Sequence, residues 1–423
     1  MVNASGWKLI VLSAPLLVGA ALLQGPITVG ETRITNEYPD ALSFEVRVAS
    51  SEANISAVDL LLTLRGDSTT LVLPANFVPT RRPIAWVRWE GLRGSVPPSA
   101  PIRYAWRVRD SAGNSYQTPE AEFVIEDPRF EWHTLQDDDL ALWWYVGDDA
   151  FGQEVFDTTT RALARMRESS AADLTERLHI VLYANDEDFA SWHDTIQDWV
   201  GGEAYPSLGL TAQIVPDRSD EWIRDVIPHE VAHLFFYQAT YSPLGSYPPS
   251  WLDEGYATYH EVAPHGYELR RVRDAAAAGE LIPLRLATGS FSGDEARVNL
   301  LYAESLSAVT FLYEKWGEQG VAQLLEAFRQ GSNEDEALLE VTGLDFEGFQ
   351  QAWWEWLGGA PGAYPTPPWQ ALQATSPPTA QPATELQSMT KSLSPNSLFG
   401  CPSVALTLAT AALITIPLRR QAR

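Results

Sequence analysis

The chain of 423 residues has one cysteine, Cys401, and three methionines. A single thiol closes no intrachain disulfide and builds no cysteine metal cluster, so a stapled scaffold and a zinc-ribbon fold are both excluded. Positive charge is scarce as well. The chain has 29 Lys and Arg against 55 Asp and Glu, a net charge of −26, which argues against nucleic acid as a partner and for an acidic, well-solvated surface. Histidine is sparse at 7 residues, so two of them placed one helical turn apart carry information. No internal repeat is visible. What the chain has in quantity is apolar material, 45% hydrophobic residues and 16 Trp, enough for the cores of two or three domains.

The two informative histidines lie in Pro228-His229-Glu230-Val231-Ala232-His233-Leu234. In a helix, His229 and His233 project from one face, and two imidazoles at that spacing can hold one zinc ion at about 2.0–2.1 Å each. Glu230 beside the first histidine is placed to act as general base toward a water at the metal. Downstream, Trp251-Leu252-Asp253-Glu254-Gly255-Tyr256-Ala257 supplies a carboxylate, Glu254, in a helical setting. Two His and one Glu leave a coordination position open, the pattern of a catalytic rather than a structural zinc site. The flanking Val231, Ala232, Leu234, Phe235 and Phe236 make the first helix a core helix as well.

Together these motifs resemble the gluzincin metallopeptidases, the clan of thermolysin and the M1 aminopeptidases. The M1 pattern W-L-x-E-G-x-x-x-Y-x-E is matched by Trp251, Leu252, Glu254, Gly255, Tyr259 and Glu261. The resemblance is strongest over residues 220–265 and looser over 128–360. It implies zinc bound by His229, His233 and Glu254, Glu230 as base, and a peptide or protein substrate. The G-x-M-E-N segment by which M1 enzymes hold a free amino terminus is absent, and the step from His233 to Glu254 is slightly longer than in M1 enzymes. Both features point to a compact gluzincin-like domain of bacterial type rather than to aminopeptidase specificity. Enzymes of the M1 type use a tyrosine further along the chain to stabilise the oxyanion, and Tyr302 is the candidate here, with His260 and His265 as rivals. Glu261 and Thr258, about two turns and one turn after Glu254, are candidates to orient a metal-binding imidazole through its other ring nitrogen.

The rest of the chain divides by composition. Residues 1–26 read as a signal peptide. Lys8 precedes an apolar run from Leu9 to Leu23, with small residues allowing cleavage after Ala20; an uncleaved anchor is the alternative. Residues 27–127 carry short strand-like runs separated by turn sequences, the pattern of an immunoglobulin- or fibronectin-like sandwich. Residues 128–360 read as an α+β, thermolysin-like catalytic domain whose C-terminal part is helical. Strands are expected at Trp132, Leu140–Val146, His179–Tyr183 and Leu210–Val215, with helices over Phe151–Arg167 and Glu187–Gln197. The metal helix should begin between Asp220 and Asp225, with Pro228 forcing a late start or a kink before His229. A second helix should run from about Pro249 to Glu261, followed by helices over Tyr302–Trp316, Val321–Phe328 and Phe346–Trp356. Residues 361–397 are Pro/Thr/Ser-rich and read as a linker. The run Leu398–Leu418, followed by Arg419, Arg420 and Arg423, has the length of a membrane span with a cytoplasmic basic tail, which would hold the catalytic domain outside the cell membrane.

The sequence thus leads to an exported zinc metallopeptidase anchored at the cell surface. Two other readings share the motifs: a non-catalytic surface module that keeps the fold for binding, and a zinc hydrolase of a non-peptide bond. Intact Glu230 weighs against the first, because a retired site has no use for a base.

Overall fold

The computed structural model describes residues 25–66, 69–194, 200–215, 220–262, 265–286, 295–359 and 414–417. The expected signal peptide, the linker and most of the expected membrane span lie outside these residues. Among the described residues no helix is long and apolar enough to cross a membrane.

The amino-terminal region forms two antiparallel sheets. One has the order β1 (Ile27–Glu37), β2 (Ala41–Ser50), β5 (Ile84–Glu90). The other runs β4 (Leu71–Pro74), β3 (Ile55–Leu64), β6 (Ala100–Asp110), β7 (Ser115–Gln117), with β8 (Ala121–Ile125) also paired to β6. In β2, Leu42, Phe44, Val46 and Val48 alternate inward, as a half-buried strand requires. Trp106 of β6 is buried between the sheets, its indole N–H donating to Thr32 Oγ1 at 2.9 Å.

The second region is built on a mixed sheet. Its order is β14 (Ile414–Pro417), β12 (Val200–Tyr205), β13 (Leu210–Ile214), β11 (Leu178–Tyr183), β10 (Leu140–Trp144), β9 (His133–Gln136). Strands β10, β11 and β13 are mutually parallel, and β9 and β12 run antiparallel to their neighbours. Of the expected membrane span only Ile414–Pro417 is described, and it pairs with β12 as an edge strand. Helix α1 (Asp149–Ser170) connects β10 to β11, and α3 (Asp220–Thr240) follows β13. The expected helix over Glu187–Gln197 is shorter: α2 (Asp186–Ala190) is capped by Asn185 and ends before Trp192, which is buried. The carboxyl-terminal part is helical, with α4 (Ser250–Tyr259), α5 (Gly266–Ala278), α6 (Glu295–Arg329), α7 (Glu334–Thr342) and α8 (Phe346–Trp356). Helix α6 breaks at Gly317, whose φ of 66° leaves the helical region, so the two helices expected on either side of that glycine are joined end to end.

Both faces of the central sheet are buried, against different partners. Leu140, Leu142 and Trp144 of β10 and Leu178, Ile180 and Leu182 of β11 pack with α1, α3 and the helical region. The alternate residues, Ala141, Trp143, Val181 and Tyr183, join Leu210, Ala212 and Ile214 of β13 in one core with the amino-terminal sheets. This explains why β10 and β11 read as continuous apolar runs instead of alternating. Polar contacts bind the same seam: Nδ1 of His179 lies 3.1 Å from the Ser99 carbonyl, and Arg65 Nη1 lies 3.3 Å from His179 Nε2. The amino-terminal region is therefore the cover of one sheet face, not a module held at a distance.

Candidate metal centre

Helix α3 carries His229, Glu230 and His233, and it runs without interruption through Pro228. The expected late start does not occur, since the helix begins at Asp220, and it accommodates Pro228 for a local reason. Proline has no N–H to offer the carbonyl four residues earlier, that of Arg224. The N–H of Val262 donates to that carbonyl at 3.1 Å instead, so the proline leaves no buried acceptor unpaired.

Helix α4 brings Glu254 to the same place. Trp251 anchors its first turn, donating to Glu334 Oε1 at 2.7 Å and stacking on Phe349 of α8. Gly255 lets α4 press against α6: a Cβ there would lie 2.3 Å from the Ser305 carbonyl oxygen. That close crossing carries Tyr302, one turn before Ser305, to the cluster, with its ring centroid 6.2 Å from that of His229.

The candidate ligand atoms of His229, His233 and Glu254 lie within 4.8 Å of one another and are buried. The two Nε2 atoms are 3.1 Å apart, and each is 3.5 Å from Glu254 Oε2. Ligands about 2.0–2.1 Å from a tetrahedral zinc stand about 3.3 Å apart, so the triangle has the size the ion requires. The protonation pattern agrees. Nδ1 of His229 is 2.9 Å from Glu261 Oε1, and Nδ1 of His233 is 2.7 Å from Asp253 Oδ1. Each carboxylate can accept a hydrogen bond from Nδ1–H, which in the neutral ring leaves the lone pair on Nε2. Two lone pairs and a carboxylate oxygen with no hydrogen-bond donor then converge on one point, an arrangement that a cation resolves.

The charges of the cluster are strongly coupled. Burial opposes a charged His229, but the nearby carboxylates of Glu254 and Glu261 outweigh it and hold its pKa well above that of free imidazole. Burial likewise opposes charge on His233, and Asp253 and Glu254 outweigh it. Glu230 is 0% exposed, and neither carboxylate oxygen has a hydrogen-bond partner. Its pKa is raised, chiefly by burial, while the two imidazoles pull the other way. For Tyr302, burial and then the charges of Glu254 and Glu230 push the phenol pKa well up, so it stays a proton donor.

Of the other residues marked from the sequence, Glu261 reaches a histidine, whereas Thr258 does not. The Thr258 hydroxyl donates to the Glu254 carbonyl at 2.8 Å, an i to i−4 bond within the helix. His260 faces away from the cluster, its Nδ1 2.9 Å from the Tyr256 carbonyl and its Nε2 3.0 Å from Ser169 Oγ. His265 stands at the N-cap of α5. Asp253 is a further member of the cluster. Its sequence signal was present, a carboxylate adjoining Glu254, but only the crossing of α3 and α4 shows that it faces His233.

Residues 158–359 match the family model described as the Peptidase MA superfamily. No curated protein sequence matches the chain. Among solved structures, the chain is similar to an M1 zinc metallopeptidase from Deinococcus radiodurans, with 16% identity over 78% of this chain and 91% of that one and a TM-score of 0.38. It is also similar to Legionella pneumophila aminopeptidase A, with 12% identity over 78% of this chain and 49% of that one and a TM-score of 0.38. Likeness at this level does not bear on activity.

Proposed function

We propose that this chain, whose residues 158–359 match the Peptidase MA superfamily model, is a gluzincin-type zinc-dependent peptidase with Glu230 as its general base. The observation that carries this reading is the pair of imidazole Nε2 atoms 3.1 Å apart, each with its other nitrogen engaged by a carboxylate, directly beside an unpartnered buried Glu230.

His229, His233 and Glu254 would hold the ion, and Asp253 and Glu261 would fix the imidazole tautomers. Zinc supplies Lewis acidity, polarising a carbonyl and acidifying water. Glu230 takes a proton from the attacking water and passes it to the departing amine. Its raised pKa suits both halves of that transfer, because a strongly acidic carboxyl would accept the proton poorly. Tyr302, kept protonated by its surroundings, donates a hydrogen bond to the oxyanion that forms on the substrate carbonyl. For the amino-terminal sheets we retain the immunoglobulin-like reading. For location we retain the sequence-based expectation of an exported enzyme held at the membrane.

The test is metal analysis of the purified chain, combined with a peptide-library cleavage assay on wild type and Glu230→Gln. Glu230→Gln should keep one zinc per chain and lose at least two orders of magnitude of hydrolysis. His233→Ala and Glu254→Ala should lose the zinc. Full zinc occupancy in both of these variants, or undiminished cleavage by Glu230→Gln, would overturn the assignment.

A further inference from the structure

Arg161, Arg165 and Arg224 line a single cavity of about 340 Å³ together with Glu154, Thr158 and Val262. We propose that this cavity is an oxyanion subsite that takes a carboxylate or phosphate group beside the metal centre.

The setting is unusual for this chain. Acidic residues outnumber basic ones 55 to 29, yet among the described residues none of these three guanidiniums forms an ion pair. Arg161 donates to Thr158 Oγ1 on its own helix at 2.9 Å, and Arg165 donates weakly to the His260 carbonyl at 3.4 Å. Glu154, Thr158, Arg161 and Arg165 fall at i, i+4, i+7 and i+11 of α1, so they share one face. Two arginines at i, i+4 repel each other and disfavour the helix. The pKa of Arg165 is lowered by burial and by the Arg161 charge, with no carboxylate acting to raise it. Three guanidiniums lining one cavity suit planar, multidentate recognition of an oxyanion.

The wall of the cavity belongs to the catalytic apparatus. Residues 260–262 are held by Arg165 at the His260 carbonyl and by the carbonyl of Arg224 at the N–H of Val262. Between those two anchors stands Glu261, whose Oε1 lies 2.9 Å from Nδ1 of His229. An anion drawn in by the arginines therefore binds one residue away from a carboxylate that orients the metal cluster. Its source is either an acidic group of a peptide substrate, which rests on the peptidase reading, or a free anion, which does not.

The experiment is calorimetric titration of the full chain with inorganic phosphate against a chloride control of equal ionic strength. It is run on the zinc-loaded protein and again after removal of zinc by chelation. Wild type should bind phosphate in both forms, and Arg161→Gln/Arg224→Gln should weaken binding tenfold or more with zinc content unchanged. Arg161→Gln alone, which gives up only the contact to Thr158, should weaken it in the same direction and guards against a folding defect. Competition then identifies the source. A peptide bearing Glu or a free terminal carboxylate that displaces phosphate at least tenfold better than its Gln or amide counterpart assigns the subsite to substrate. Equal displacement by the two assigns it to a free anion. Phosphate binding no stronger than chloride, binding lost on removal of zinc, or equal affinity in the arginine variants would overturn the proposal. None of these outcomes depends on peptide hydrolysis, so the subsite and the peptidase reading can fail separately.

Discussion

The carbonyl of Arg224 accepts a hydrogen bond from the N–H of Val262 at 3.1 Å. Pro228 makes this possible by leaving that carbonyl without its helical donor. The segment that follows α4 is thereby tied to the first half of α3, and Glu261 is held where it meets His229. A residue that would ordinarily break a helix here supplies a tether for the metal centre.

Asp253 and Glu261 hold the Nδ1 atoms of His233 and His229 at 2.7 and 2.9 Å. Removing either acceptor frees the ring to rotate or change tautomer, and such losses typically cost 10–100-fold in metal affinity. Asp253→Ala and Glu261→Ala should each weaken zinc binding by about that factor in a chelator competition titration, with the circular dichroism spectrum retained. Wild-type zinc affinity in Asp253→Ala would remove it from the metal centre.

Tyr302 is the candidate oxyanion donor. Tyr302→Phe should lower kcat by roughly a hundredfold or more with KM and zinc content little changed, because the bond it loses forms only as charge develops on the substrate. Unchanged turnover would make Tyr302 a packing residue of α6.

Gly255 admits the close crossing of α4 and α6. Gly255→Ala sets a Cβ 2.3 Å from the backbone oxygen of Ser305, which no rotamer change relieves. The helices must separate, at a cost of about 1–3 kcal/mol in unfolding free energy. Because Glu254 and Tyr302 ride on those helices, denaturant melts and zinc titrations should show stability and metal affinity falling together. Loss of neither would mean that α6 yields without disturbing the cluster.

His179 should make the protein acid-sensitive. Burial is the chief reason its pKa is lowered to about 3, aided by the charge of Arg65; His260, also buried, is lowered to about 4. An unfolded histidine titrates near about 6.5. Between these values the unfolded chain binds protons that the folded one refuses, so stability is full above about pH 6.5 and falls as the pH is lowered. Each histidine should remove about 2 kcal/mol between pH 7.5 and pH 5. Chemical denaturation across that range should show the decline, and His179→Gln should make it shallower, leaving the share of His260. A slope unchanged by the substitution would mean that His179 is not what resists protonation.

Much of the candidate site could be read from the chain because its information is local. The spacing of His229 and His233 on one helix turn is set by backbone geometry, and Glu254 is flagged by its neighbours Trp251, Leu252 and Gly255. Most strands of the amino-terminal region, the break at Gly317 and the helices on either side of it are likewise legible in alternation and helical periodicity. What escaped depends on contacts between segments distant in sequence. Strand β12, rich in Gly and Ala, has little strand propensity of its own and exists because β13 pairs with it. The uninterrupted course of α3 through Pro228 requires a donor 34 residues downstream of it. Asp253, Thr258 and His260 could not be sorted by spacing, because which of them faces an imidazole is decided by how α4 lies across α3. The double burial of the central sheet was visible only as apolar runs in β10 and β11. That one cover is helical and the other a pair of β-sheets is a fact of packing, which no periodicity within a single strand encodes.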